Sequence, residues 1–450
     1  MASLPPFPPH FGPSLAPTPV VPPLTLAPLT RPPSVTPPSQ PTRPALFAPP
    51  GYVRSVHACP AAYPRMYEGT LSRSSYPYSS IPETETKEAR AARLEKDKVA
   101  CAEQAREAAK TEGAGWKTNS GEGLWLSVER WRREDPVEGG VTLLMLHANG
   151  MLKEDYHPLL ESLFASSPTV QFGTHILSST AAVVVNEVFF LEDSLHGTSV
   201  DLNAGRLPPL HSWADGARDV LNFLSHCAPA FDEEVGWALE WRERASPRKV
   251  FAVGHSLGGN MAVHAAAAVP GLFEGLFLVE PMTQPTGGNN SPAMNYHVQA
   301  ITLKRRDTWP SLDAAKTMRT NPMFSKFPDS IFDLWLSHGV VPKNNGELTL
   351  TTPPWCEAVV FSDCRSPQRG WDLLPSLNMP VGFVMSKDAQ WMGGEKIARE
   401  LTSRPPRARN ERTTAGHLAV QEDPMGVGEA LGRFLATVRG GVWDKGASKL

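Results

Sequence analysis

The chain is short of cysteine, of long apolar runs and of surplus charge, and each shortage removes a class of protein. Its five cysteines (Cys59, Cys101, Cys227, Cys356 and Cys364) are odd in number, widely scattered and never in a CxxC pair. Neither a disulfide framework nor a structural zinc site is indicated, and a reducing compartment fits. No stretch approaches the roughly 18 to 20 continuous apolar residues that span a bilayer. The N-terminus also lacks a charged segment followed by a short apolar run, so neither a transmembrane segment nor a secretory signal is expected. A formal charge of -3 gives no field to hold a polyanion, and no basic motif with interleaved aromatics occurs, so nucleic acid is not expected as a partner. There is no H-E-x-x-H, and Gly287-Gly288 lies in a Thr-, Asn- and Ser-rich loop without G-x-G-x-x-G spacing. Neither a metal nor another cofactor is expected.

What is present is enough for one large domain with extensions. The chain has 450 residues, 41% of them hydrophobic and 20% charged, which suffices for a core of enzyme size. Residues 1 to about 55 carry 18 of the 45 prolines without a fixed period. Such a segment forms no hydrogen-bonded ladder and buries little, and it reads as disordered. Its PxxP spacings, such as Pro19-Val20-Val21-Pro22, could dock on an SH3-type groove, against the plainer reading of a solvated extension. Residues 83–112 are rich in Ala, Glu, Lys and Arg, with Leu94 and Val99 as their only large aliphatics. They read as a charged surface helix or linker.

From residue 120 to 440 the pattern is globular. Apolar runs at 124–128, 141–146, 182–188, 250–253, 276–279 and 381–385 alternate with helical stretches. That alternation predicts an α/β fold with a mostly parallel central sheet flanked by helices. It lapses at about 283–378, where helical spacing at Leu312–Met318 and Ser330–His338 predicts a helical cap insertion.

The strongest local signal is Phe251-Ala252-Val253-Gly254-His255-Ser256-Leu257-Gly258-Gly259-Asn260, an apolar strand entering G-x-S-x-G and then an Ala-rich helix. A sharp turn between strand and helix needs small neighbours, and it lifts the serine hydroxyl to the strand's C-terminal end. Ser256 is the candidate nucleophile. Of thirteen histidines, His417 lies in a loop after the last strand and before the final amphipathic helix, where its imidazole can reach the serine as general base. Two residues compete for the acid that orients it. Asp388 follows the strand 381–385 and is preferred, while Glu280, ending the strand one beyond the serine, is the alternative. The oxyanion hole needs two backbone N–H groups. Leu257 supplies one, and Asn149, in His147-Ala148-Asn149-Gly150, the other, or Gly150 or Met151 if that turn is shifted. His147 precedes the nucleophile and reads as a structural hydrogen-bonding residue of the loop.

Together, His147-Ala148-Asn149-Gly150, Asp193-Ser194-Leu195-His196-Gly197-Thr198-Ser199, Gly254-His255-Ser256-Leu257-Gly258-Gly259 and Gly416-His417 with Glu422 and Pro424 resemble the α/β-hydrolase superfamily over about 120–440. With the C-terminal Ser448-Lys449-Leu450, Ile301 to Trp309 and Ser337-His338-Gly339, the chain is similar to fungal peroxisomal hydrolases, among them the yeast peroxisomal lipase and hydrolases of toxin clusters. The resemblance implies ester hydrolysis through an acyl-serine, with the cap shaping substrate choice.

The expected substrate is a lipid-like acyl ester. An acyl-CoA thioester is the alternative, and a non-catalytic scaffold using the proline-rich arm is the alternative of another class. Cap aromatics Phe324, Phe327, Phe332 and Trp335 could line an acyl chain or simply pack. Lys304, Arg305 and Arg306 could hold phosphates or lie on a solvated surface. Ser448, Lys449 and Leu450, on a flexible tail at 441–450, match the tripeptide read by the peroxisomal import receptor. A fluorescent protein fused to the last ten residues is expected to collect in peroxisomes, and a diffuse signal would refute the address.

Overall fold

The computed structural model describes residues 4–15, 21–33, 36–44, 46, 48–72, scattered positions between 86 and 103, then 123–165, 183–245, 248–287, 290–441 and 443. Most of the charged run at 83–112, and the tripeptide Ser448-Lys449-Leu450, lie outside the described residues.

The sheet begins well before residue 120, which corrects the boundary expected from sequence. Strand β1 (Tyr52–Pro60) pairs antiparallel along its whole length with β2 (Trp125–Arg133). It escapes an apolar-run search because its first residues, Tyr52 to Ser55, are only partly buried or exposed, as befits an edge strand. The next strands are β3 (Val141–Leu146), β4 (Val185–Leu191), β5 (Val250–His255) and β6 (Gly275–Val279). A long insertion follows, holding β7 (Thr308–Trp309), β8 (Val340–Pro342) and β9 (Leu348–Leu350) in a small antiparallel sheet. It also holds the helices Pro292–Leu303, Leu312–Lys316, Asp329–Gly339, Pro354–Val360 and Ser366–Leu373. Strands β10 (Val381–Ser386) and β11 (Ala408–Thr413) complete the main sheet. Its order is β1-β2-β4-β3-β5-β6-β10-β11. From β4 to β11 every pairing is parallel, and β2 runs against both its neighbours.

Parallel strands are covered on both faces, so successive side chains feed two cores. Phe251 and Val253 of β5 join Leu143, Met145, Phe277 and Val384 on one face. Val250 and Ala252 join Leu144, Leu146, Leu276, Leu278 and Phe383 on the other. This is why the strands read as continuous apolar runs and not as alternating ones.

Among the described residues, the proline-rich segment before β1 forms only single bridges, at Leu4 and Thr30. Some of its described residues touch the domain. Phe7 is buried, its N–H donating to Asn410 Oδ1 (2.7 Å) and its carbonyl accepting from Asn410 Nδ2 (3.1 Å).

One buried charge braces the end of the sheet near the loop that follows β3. Glu129 of β2 is fully buried and accepts from Arg54 Nε (2.7 Å), Arg54 Nη2 (2.8 Å) and Trp131 Nε1 (2.6 Å), with His157 Nε2 at 3.1 Å. Burial alone would raise its pKa, but His157 and Arg54 outweigh that and hold the carboxyl below the usual range. A depressed folded-state pKa adds stability above the unfolded value, and that stability is lost as pH falls through the folded one. Glu129→Gln is therefore expected to cost about 3 kcal/mol at pH 7 in chemical denaturation. The gap from wild type should narrow progressively below about pH 4.3, the unfolded glutamate value.

Candidate active site

The turn after β5 carries the site. Ser256 has φ 52° and ψ −112°, an unfavourable conformation for a side-chain-bearing residue, between β5 and the helix Leu257–Ala268. Two close approaches make it possible. A Cβ at position 254 would lie 2.7 Å from the Gly258 carbonyl oxygen, and one at 258 only 2.3 Å from that of Leu146, so both positions require glycine. The turn is stitched to its neighbours: Ser256 N–H donates to Val279 O (3.0 Å), Met282 N–H to Ser256 O (3.0 Å) and Gly258 N–H to His147 O (3.2 Å).

Ser256, His417 and Glu280 form one line. Ser256 Oγ is 3.0 Å from His417 Nε2, and His417 Nδ1 is 3.2 Å from Glu280 Oε2. Glu280 is wholly buried just beyond β6, with φ 43°. Its N–H donates to Val384 O (3.0 Å), and its Oε1 accepts the Ser386 N–H (2.6 Å). The preference for Asp388 is thereby corrected. Strand β10 ends at Ser386, whose N–H holds the Glu280 carboxylate, and the chain then turns outward so that Asp388 is exposed. The signal for Glu280 in the sequence is a carboxylate ending an otherwise apolar strand, directly before Pro281.

Around the loop after β3, three backbone donors are already engaged. Ala148 N–H donates to Tyr156 Oη (2.8 Å), Gly150 N–H to His196 Nε2 (3.0 Å) and Met151 N–H to Ala148 O (3.1 Å). Among the described residues no acceptor takes the Asn149 N–H, and the N–H of Leu257 opens its helix, where no intrahelical acceptor exists. The Asn149 side chain donates from Nδ2 to Glu357 O of the cap (3.1 Å). His147 is buried within the loop network, Nδ1 at 2.9 Å from Ala148 O and Nε2 accepting from Asp193 N–H (3.0 Å). Burial and the neighbouring His196 push its pKa down to about 3, so it stays neutral.

Three features escaped the sequence. Trp391, 44% exposed, stacks on His417 with ring centres 5.5 Å apart. Tyr156 and His255 lie buried beneath the site. The cap aromatics, by contrast, pack on one another and on the core: Phe324 and Trp335 are 4.3 Å apart, and all four are nearly inaccessible. Arg305 is ion-paired with Glu357, and Arg306 Nε donates to Thr308 O (2.8 Å). Among the described residues no cluster of side chains could hold a metal ion, and no helix is long and apolar enough to cross a membrane.

A strand-turn-helix with a positive-φ serine on a parallel sheet of this order agrees with the sequence comparison, in which residues 143–430 match the α/β-hydrolase family. The chain belongs to that family. Among individual α/β-hydrolases, the peroxisomal enzyme Lpx1 of Saccharomyces cerevisiae shares the fold, with a TM-score of 0.59 at 18% identity over 88% of this chain and 90% of that one. In sequence, the curated yeast protein, named peroxisomal membrane protein LPX1, is 28% identical over 159 residues, 35% of each chain. The type I acyl-CoA thioesterase mpaH' of Penicillium brevicompactum is 30% identical over 210 residues, 45% of this chain and 41% of that protein. The match thus spans about two-fifths of the thioesterase's length.

Proposed function

We propose that this α/β-hydrolase cleaves acyl esters or thioesters through a covalent acyl-serine. The observation that carries the reading is the unbroken line from Ser256 Oγ through the His417 ring to the buried Glu280 carboxylate, at 3.0 and 3.2 Å. His417 Nε2 takes the hydroxyl proton as Oγ attacks the carbonyl carbon, and then gives it to the departing alcohol or thiol. Glu280 fixes the ring with Nδ1–H toward itself and stabilises the imidazolium. The N–H groups of Leu257 and Asn149 face the oxyanion. Water repeats the sequence in reverse and frees the acid.

The thioester is a second reading of the same site, favoured by the name of the Penicillium relatives. Peroxisomal location is supported by the yeast relative, which is named as peroxisomal. An intact Ser–His–Glu line speaks against a scaffold role.

Purified protein is expected to be labelled by a fluorophosphonate and Ser256→Ala not at all; an unlabelled, folded wild type would move the scaffold to the front. Acyl-CoAs of graded length, scored for release of free CoA, and the matching simple esters decide between thioester and ester. Glu280→Gln should lower turnover by about 10³-fold or more, whereas Asp388→Asn should stay within about twofold of wild type, as for an exposed side chain away from the site. The reverse ranking would return the role to Asp388.

A further inference from the structure

We infer that Tyr156 and His255 are positioning residues that tie the backbone of the general base to the oxyanion loop. This rests on the assignment of Ser256, His417 and Asn149 proposed above. His255 stands between Gly254 and Ser256 at the end of β5, fully buried. Its Nε2 lies 2.8 Å from the main-chain oxygen of His417 itself, and its Nδ1 lies 2.8 Å from Tyr156 Oη. That hydroxyl in turn accepts the N–H of Ala148 at 2.8 Å.

The direction of every bond follows from its ends. A carbonyl oxygen only accepts, so His255 Nε2 carries the proton. Nδ1 is then a lone pair and must be met by the Tyr156 O–H, and Oη is left to accept from Ala148. The chain runs from Ala148 N–H through the Tyr156 hydroxyl and the His255 ring to His417 C=O, and it permits one tautomer of His255. The ring also stays neutral, because burial and the nearby His417 depress its pKa to about 3.

The two ends of this relay come from distant parts of the chain. One is the residue next to Asn149, the other is the base. Burying an imidazole and a phenol is costly unless both are fully paired. Here the pairing fixes, through one rigid pathway beside the nucleophile, the two groups whose spacing from Ser256 decides proton transfer and oxyanion binding. Neither residue reaches the reacting atoms.

The test uses the full chain with p-nitrophenyl butyrate as substrate and fluorophosphonate labelling as a second readout. Tyr156→Phe removes one oxygen. His255→Leu removes both bonds, and His255→Gln keeps an amide able to donate to His417 O. Tyr156→Phe and His255→Leu are each expected to lower kcat by about tenfold or more with KM within about twofold, because misplacement of the base by a fraction of an ångström acts on the transition state. His255→Gln should recover most of the loss, and the double variant should be no slower than His255→Leu alone. Melting curves establish that each variant is folded; should His255→Leu not fold, Tyr156→Phe decides alone. A folded Tyr156→Phe with wild-type kcat, or additive losses in the double variant, overturns the relay. A wild type that neither hydrolyses the ester nor takes the label would instead remove the serine-hydrolase reading and the relay with it. An active wild type with unaffected variants removes only the relay.

Discussion

Everything at the C-terminal end of the sheet is referred to one strained turn. With φ at 52°, Ser256 occupies backbone space that costs about 1–3 kcal/mol, so the surroundings must over-determine it. They do so through the neighbouring strands. The loop leaving β3 accepts the Gly258 N–H, and the end of β6 accepts the Ser256 N–H. The chain beyond β6 returns a donor, Met282 N–H, to the Ser256 carbonyl. The elements that carry the loop after β3 and Glu280 are thereby registered to the serine before any side chain of the site is considered. Gly254 and Gly258 are the steric condition for that registration, since a methyl at either would overlap backbone atoms.

The second constraint is the burial of a carboxylate. Glu280 has no exposed surface, and an ionised group there is tolerable only when its lone pairs are met. One oxygen receives the Ser386 N–H at 2.6 Å and the other faces His417 Nδ1 at 3.2 Å. Strand β10 thus supplies a backbone donor to the carboxylate. This places Glu280 with its own backbone clamped to β10 by Glu280 N–H to Val384 O, so the side chain has little freedom to leave the histidine.

How far this was legible in sequence depends on whether the relevant physics is local. Strands buried on both faces are continuous apolar runs, and β3, β5, β6 and β10 stand out for that reason. The elbow is legible because Gly254 answers a steric demand made within five residues, while Gly258, though it meets Leu146 of β3, stands in the same short motif. β1 was not, since an edge strand needs no apolar face and this one follows a proline-rich stretch. The cap's small sheet consists of strands of two or three residues, too short to show a period. The choice between Asp388 and Glu280 turned on lateral geometry: both end strands, and only the turn outward after Ser386 separates them. Tyr156 and His255 meet across 99 positions, and nothing in either neighbourhood announces the other.

The loop after β3 is fastened in two different ways, one to the cap and one to the core. The cap reaches it through the Asn149 side chain, whose Nδ2 donates to Glu357 O, with Glu357 itself paired to Arg305. The core reaches it through backbone: Ala148 N–H to Tyr156, Gly150 N–H to His196, and His147 O from Gly258 N–H. The cap's one hydrogen bond to Asn149, worth about 1 kcal/mol, is joined by apolar packing, since Trp309, Trp335 and Leu336 of the cap share a core with Met151 and Leu152. Ser256 is only 6% exposed, and the main-chain bonds to Tyr156, His196 and Gly258 hold the loop beside it independently of the cap. A loop held by the core at its main chain keeps its geometry beside Ser256 whatever contacts the cap adds to it.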